Sequence, residues 1–339
     1  MSAVARPALD GTRKTNPSVS VLLPAWNDAA MIGRCLESLL AIDRPDLEII
    51  VCAGGEDGTL DVARRYAGER VIVLEQYPGE GKQGALRRCF AHSRGDIIYL
   101  TDADCVVPPD VFDAVIGPVA DGDVLAATGT SRPLAEQSAA PFALFQWSIL
   151  DAVEQNRPVE STGLLGRNCA ASRAAVIEAG AFAEPVPIGT DYHLAKALLA
   201  RGEHIRFVPA AVETPYPTSP LAFLRQQSRW LRNIFLHGPR YGDNAEIRAC
   251  ARTVALGAGF YLWPLSWRWT RLPGLLIWLT GLTALVALRV RYARALSARR
   301  GVVLGPAYYL RLPWYTLLDV AAWVWPLVDA VSRRRRLRW

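Results

Sequence analysis

Two carboxylates one residue apart, Asp102 and Asp104, follow directly on the apolar run 97–100 in the stretch GDIIYLTDADCVVPP. The run has β-preferring side chains and reads as a buried strand that delivers both acids to its carboxyl end. Ligands of open α/β sheets bind at the carboxyl ends of strands, and acidic oxygens at alternate positions suit a hard cation carrying phosphates. A second set with phosphate chemistry lies in residues 220–236, PLAFLRQQSRWLRNIFL. Helical spacing places Gln226, Arg229 and Asn233 on one stripe with Trp230 at its edge. Phe223, Leu224, Leu231, Ile234 and Phe235 fall on an adjoining apolar face. Between these stretches, Asp191 stands where it could cap the helical pattern YHLAKALL.

The elements that must position these groups alternate. Residues 19–23 form a short apolar strand ending at Pro24, and a helix follows with Asn27 or Asp28 as its expected cap and Ile32, Leu36, Leu39 and Leu40 on one face. Residues 47–51 make a second strand, 53–59 a glycine-rich turn, 60–67 a second helix and 71–74 a third strand. Such alternation predicts a mostly parallel, doubly wound α/β sheet.

After the third strand, Gly79, Gly81 and Gly84 spell GxGxxG before a helix. A dinucleotide fingerprint needs its tight turn directly after the first strand, whereas this one stands behind Tyr77 and Pro78 of the third. A Walker loop needs Ser or Thr after its lysine, and Gln83 follows Lys82. What is left is a loosened loop and helix start offering backbone N–H groups and Lys82 to an anion. A nucleotide-dependent oxidoreductase is thereby disfavoured.

Taken together these segments resemble the family 2 inverting glycosyltransferases of the GT-A fold. The resemblance is carried by VSVLLPAWN (19–27), EDGT (56–59), GEGKQGAL (79–86), GDIIYLTDADC (95–105), GLLGRN (163–168), GTDYHLAKALLARGEHIRFVP (189–209) and QQSRW (226–230), in the family's order. It implies that Asp102 and Asp104 are the DxD pair that holds Mg2+ or Mn2+ on a nucleotide-sugar diphosphate. It implies that Asp191 is the general base and that Pro24, Asn27, Asp57 and Lys82 also meet the donor. Gln226, Arg229, Trp230, Arg167 and Asn168 are expected at the diphosphate and the acceptor. Two departures stand out: Cys52 and Ala53 replace acids that commonly read the nucleobase, and Thr190 replaces an acid before Asp191. A UDP-sugar is the family-based donor expectation.

The 339 residues carry a formal charge of +6, and only Lys14, Lys82 and Lys196 of the 38 basic residues are lysines. The excess of arginine lies in 289–300 and 332–339, beside hydrophobic segments, which suits a membrane surface better than nucleic acid. Six cysteines without CxxC spacing and four scattered histidines indicate neither zinc nor a disulfide framework, and a reducing, cytoplasmic catalytic domain is expected. Residues 1–17 read as a mobile tail, 18–240 as the GT-A domain and 241–339 as a membrane-associated helical region. Within the last, 272–288 and 312–331 are expected spans and 253–267 is short for one. Tryptophans beside them resemble interfacial belts, and a hairpin about Pro326 would reconcile the flanking arginines. Processive polysaccharide synthases with QxxRW usually carry membrane helices ahead of the catalytic domain. A single transfer to a lipid or lipid-linked acceptor is therefore expected, with sugar-nucleotide binding without turnover as the rival from outside enzymology.

Overall fold

The computed structural model describes residues 17–186 and 188–332. The expected tail and the arginines of the last residues lie outside them, apart from residue 17 and Ser332. The chain runs β1 (Val19–Trp26), α1 (Ile32–Leu40), β2 (Leu47–Gly54), α2 (Thr59–Arg64), β3 (Val71–Glu75), α3 (Gly81–His92), β4 (Ile97–Leu100) and α4 (Pro109–Ala120). There follow β5 (Ala126–Pro133), α5 (Pro141–Gln155), β6 (Glu160–Ser161), β7 (Cys169–Ser172), α6 (Arg173–Glu178), α7 (Thr190–Leu199), β8 (Ile205–Thr214) and α8 (Pro220–His237). Three long helices close it: α9 (Asn244–Leu262), α10 (Trp267–Arg300) and α11 (Pro306–Ser332).

One eight-stranded sheet has the order β3-β2-β1-β4-β7-β5-β8-β6. Its first half is parallel throughout, with Val21 paired to Ile49 on one side and to Tyr99 on the other. Strand β7 breaks that direction by running antiparallel to both β4 and β5. Strands β1, β2 and β4 of the parallel half are buried on both faces, so they are largely apolar rather than alternating, while β3 at the edge is half-buried. One face is covered through Ile32, Leu36, Leu39, Phe112 and Val115 of α1 and α4. The other is covered by α3, α6 and α7 through Leu86, Cys89, Val176, Leu194 and Leu198. Each such fully buried aliphatic contributes about 1.5–3 kcal/mol by leaving water.

Both Asn27 and Asp28 fail to cap α1, which opens after Met31 without a side-chain cap. Their side chains serve the loops instead: Asn27 Oδ1 accepts from Glu56 N at 2.8 Å, and Asp28 Oδ2 from Trp26 N at 3.0 Å. Asn27 takes φ 58 to do so.

Beyond the sheet, α5, the second half of α10 and the first half of α11 share a core of Phe145, Trp147, Leu296, Tyr308 and Leu312. Asp151, wholly buried on α5, pairs with Arg299 and Arg300 of α10, and Arg289 pairs with Asp319 of α11. The first half of α10 is different. Arg268–Arg300 is, among the described residues, the one helix long and apolar enough to cross a bilayer, with mean hydropathy 1.7 and 11% of its apolar window buried. Residues 312–331 do not reach that measure, their mean hydropathy being lowered by Pro313, Trp314, Asp319 and Pro326; separately, Leu312, Tyr315, Leu318 and Ala322 pack towards α5 and α8. The chain also continues helically through Pro326, so no hairpin forms there.

Candidate active site

The carboxyl ends of β1, β3 and β4 open into a cleft of about 1070 Å³. Asp102 and Asp104 leave β4 on its floor, Lys82 and Arg87 reach in from α3, Arg167 comes from the loop before β7, and Gln226 and Arg229 from α8. The sequence placed these groups far apart; the topology brings them to one wall.

Lys82 Nζ makes a direct ion pair with Asp102 Oδ1. Burial works to raise the Asp102 carboxyl, but the charges of Lys82 and Arg167 outweigh it and hold the group below the usual carboxylate range. Asp104 is pushed the other way, by burial and then by the negative charge of Asp102. Asp28, which also lines the cleft, is raised to about 6 by burial, opposed by its bond from Trp26 N and reinforced by Asp104, Asp102 and Asp57. Three acids thus crowd one end of the cleft.

No cluster of three His, Cys, Asp or Glu side chains among the described residues could hold a metal by itself. The donor set fits a hard divalent cation whose coordination is completed by phosphate oxygens and water, with Asp104 and Asp102 as the protein's share. The upward pull on Asp104 is what a neighbouring dication would relieve.

Asp191 stands in the first turn of α7, beside the cleft lining rather than in it. Its Oδ2 accepts from Gly166 N at 3.1 Å and its Oδ1 from Tyr192 N at 3.0 Å. A methyl group on Gly166 would come within 2.9 Å of Asp191 Cβ, so glycine is what allows the loop of Arg167 to lie against Asp191. The charge of Asp191 acts on both Lys82 and Arg229, which places it on the side of the cleft that these two cations line.

A family model described as "Glycosyltransferase like family 2" matches residues 17–233, the stretch holding every group named above. The chain belongs to that family. It is 30% identical over 241 residues to Probable glycosyltransferase YdaM of Bacillus subtilis (strain 168), and 27% identical over 238 residues to an N-acetylglucosaminyltransferase of Mesorhizobium japonicum. Each alignment covers 65% of this chain and 56% of the relative, so the chain spans a little over half the length of these curated relatives. Among solved structures it is similar to the mannosyltransferase PcManGT from Pyrobaculum calidifontis in complex with GDP-Man and Mn2+, with a TM-score of 0.66 at 20% identity. That match covers 94% of this chain and 88% of the other, a share reached only by including the C-terminal helices, and it confirms the GT-A-like α/β fold.

Some of the expected site residues are spent on the scaffold. Asp57 accepts from Ala29 N at 2.9 Å and from Thr59 N at 3.0 Å, and holds the turn after β2 closed. Asn168 is fully buried, accepting from Tyr99 OH and donating to the carbonyls of Thr130 and Ala210. Neither lines the cleft, whereas Pro24 does. Cys52 and Ala53 are wholly buried in β2. Residues not expected at the site do line it: Trp26 at the end of β1, Asp28 just after it, Gln76 and Tyr77 after β3, and 182–186 ahead of α7. The PAWND and QYPG turns were the available signal, since both follow strands of the parallel half.

Trp230 is turned away from the main cleft. It lines a smaller chamber of about 70 Å³ with Ile149, Leu150, Tyr216, Phe223 and Asp319. Arg167, Pro215 and Gln226 border both spaces, so they form the wall between them. The apolar face of α8 divides accordingly: Phe223 and Leu224 are buried against Leu318 and Ala322 of α11, while Phe235 and Leu236 stay exposed.

Proposed function

We propose that this glycosyltransferase is a membrane-attached, inverting hexosyltransferase moving one sugar from a nucleotide-sugar donor to a hydroxyl of a lipid or lipid-linked acceptor. The observation that carries the reading is the convergence of Lys82, Asp102, Asp104, Arg167 and Arg229 on one cleft with Asp191 beside it. The donor's diphosphate sits among Lys82, Arg167 and Arg229, where planar guanidinium forks match phosphate oxygens. Asp104 and Asp102 would hold Mg2+ or Mn2+, which would supply Lewis-acid stabilisation of the departing diphosphate. Asp191 takes the proton of the acceptor hydroxyl as that oxygen attacks the anomeric carbon, and the bond to the diphosphate breaks on the opposite face. Such proton removal is worth roughly a hundred- to ten-thousand-fold in rate.

The small chamber past Gln226 supports an acceptor with an apolar body. Its walls combine Trp230, Tyr216 and Phe223 with amide and carboxylate groups, and it borders α11, next to the exposed apolar half of α10. The expected setting is the cell membrane with the catalytic domain in the cytoplasm. A UDP-sugar remains the first donor to try, and GDP-mannose is the second.

The test uses the full chain in detergent with Mn2+ or Mg2+, a membrane lipid extract and radiolabelled UDP- and GDP-sugars. Label in the solvent-extractable fraction, lost with a chelator and in Asp191→Asn, is the expected result. Label in insoluble, high-mass material would make the protein a polysaccharide synthase, and nucleotide-sugar binding without transfer would make it a binding protein.

A further inference from the structure

The helix that carries Asp191 is held by the short stretch joining α8 to α9. His237 Nε2 lies 2.8 Å from the carbonyl of Ile188, just ahead of α7. Gly189 packs so closely on α8 that a methyl group there would come within 2.9 Å of Asn233. Tyr192, next to Asp191, donates its hydroxyl to Asp243. One turn on, Lys196 is 5% exposed and places its ammonium 3.1 Å from Asp243 and 2.9 Å from Glu246, over the ring of Tyr192.

Asp243 occupies the N-cap position of α9 yet makes no capping bond to that helix. An aspartate in that place ordinarily accepts from its own helix's first N–H groups. Here both of its recorded partners, Tyr192 and Lys196, are on α7. A buried lysine paired with two carboxylates also fixes direction, since any shift of α7 along its axis would leave a desolvated charge unmatched.

We propose that Asp243, acting through Tyr192 and Lys196, is a positioning residue for the catalytic base. It sets the rotation and height of the first turn of α7, and so the approach of the Asp191 carboxylate to the acceptor hydroxyl. The base helix is thereby braced by α9, the first arm of the hairpin that α9 makes with α10, rather than by the sheet alone. This inference rests on the reading of Asp191 as the base.

The experiment compares wild type, Asp243→Asn, Asp243→Ala, Glu246→Gln and Asp191→Asn as full chains in detergent, with the nucleotide sugar and lipid extract that give label transfer in wild type. Expected is a fall in kcat of roughly ten- to a hundred-fold for Asp243→Ala, the scale of a misplaced reacting group. Asp243→Asn, which keeps an acceptor for Tyr192, should recover part of it. The donor KM and calorimetric nucleotide binding should stay within about two-fold, since α7 is not what holds the diphosphate. An unchanged kcat in Asp243→Ala, with Asp191→Asn inactive, overturns the brace and leaves the base reading intact. A kcat loss accompanied by an equal loss of nucleotide binding also overturns it, because that is general unfolding of the cleft. Activity retained in Asp191→Asn removes the base reading and this inference with it. Should Asp243→Ala not fold, Asp243→Asn and Glu246→Gln decide by the same split.

Discussion

Lys82 on α3 and Asp102 at the end of β4 are ion-paired across the floor of the cleft, and both are largely withdrawn from solvent. Burial alone would weaken the charge on Lys82; Asp102 and Asp191 outweigh that effect and hold its pKa above the ordinary lysine value. The lysine is therefore a fixed cation around neutral pH, and it keeps Asp102 ionised in turn.

Lys82→Met should weaken nucleotide diphosphate binding about ten- to a hundred-fold, the scale of one charge-assisted hydrogen bond of about 1.5–3 kcal/mol. Calorimetric titration with UDP and GDP in Mn2+ checks this. Binding within two-fold of wild type would remove Lys82 from the diphosphate site.

Asp28 gives a pH signature. Its folded pKa of about 6 lies above the ordinary 3.8, so between those values the folded state holds more protons than the unfolded one. Stability from this group is complete below about pH 4 and is lost as pH rises through 6. Asp28→Asn removes the loss while keeping an oxygen for Trp26 N. Its melting temperature relative to wild type should be higher at pH 8 and nearly unchanged at pH 4. A gain of equal size at both pH values would show that the Asp28 charge is not the cause.

What could be read in the sequence follows from how local each determinant is. Strand β4 is apolar from Ile97 to Leu100 and gives way to Thr101 and the acid Asp102, so its limits were legible to the residue. Strand β7 is Cys-Ala-Ala-Ser, with no β-preferring pattern, and it is a strand because Tyr99 and Ala127 both pair with Ala170. Helix α5 was likewise passed over; its core partners are in α10 and α11, more than a hundred residues away. That Asp102 and Asp104 meet at a cleft follows from the end of β4 and was legible; that Asp191 lies beside the lining depends on the loop of Gly166. The spending of Asp57 and Asn168 on backbone groups was not, because it depends on loops meeting in space.

The contact between Gly166 and Asp191 is tight enough to be tested on its own. Gly166→Ala places a methyl group within 2.9 Å of Asp191 Cβ and 3.1 Å of its Oδ2, and disturbs the hydrogen bond from Gly166 N. A displaced base should lower kcat by roughly ten- to a hundred-fold with little change in nucleotide binding. Initial rates over a range of donor concentrations check the split. A normal kcat would mean that Asp191 tolerates displacement that a general base cannot.

The exposed half of α10 makes a claim about attachment that does not depend on catalysis. Trp269, Leu276 and Ile277 are 81%, 54% and 61% exposed on a protein that buries comparable side chains elsewhere. Apolar surface of this extent is costly in water and suits lipid, at about 1.5–3 kcal/mol for each large side chain removed from water. Trp263 donates to the carbonyl of Gly274, and Trp278 to that of Phe260, so α9 and α10 hold each other as a hairpin whatever surrounds them. A triple variant, Trp269→Ser, Leu276→Gln and Ile277→Gln, should therefore keep its nucleotide binding and lose flotation with phosphatidylglycerol-containing vesicles. Flotation equal to wild type would move the attachment to another surface and disconnect the chamber beside Trp230 from the bilayer.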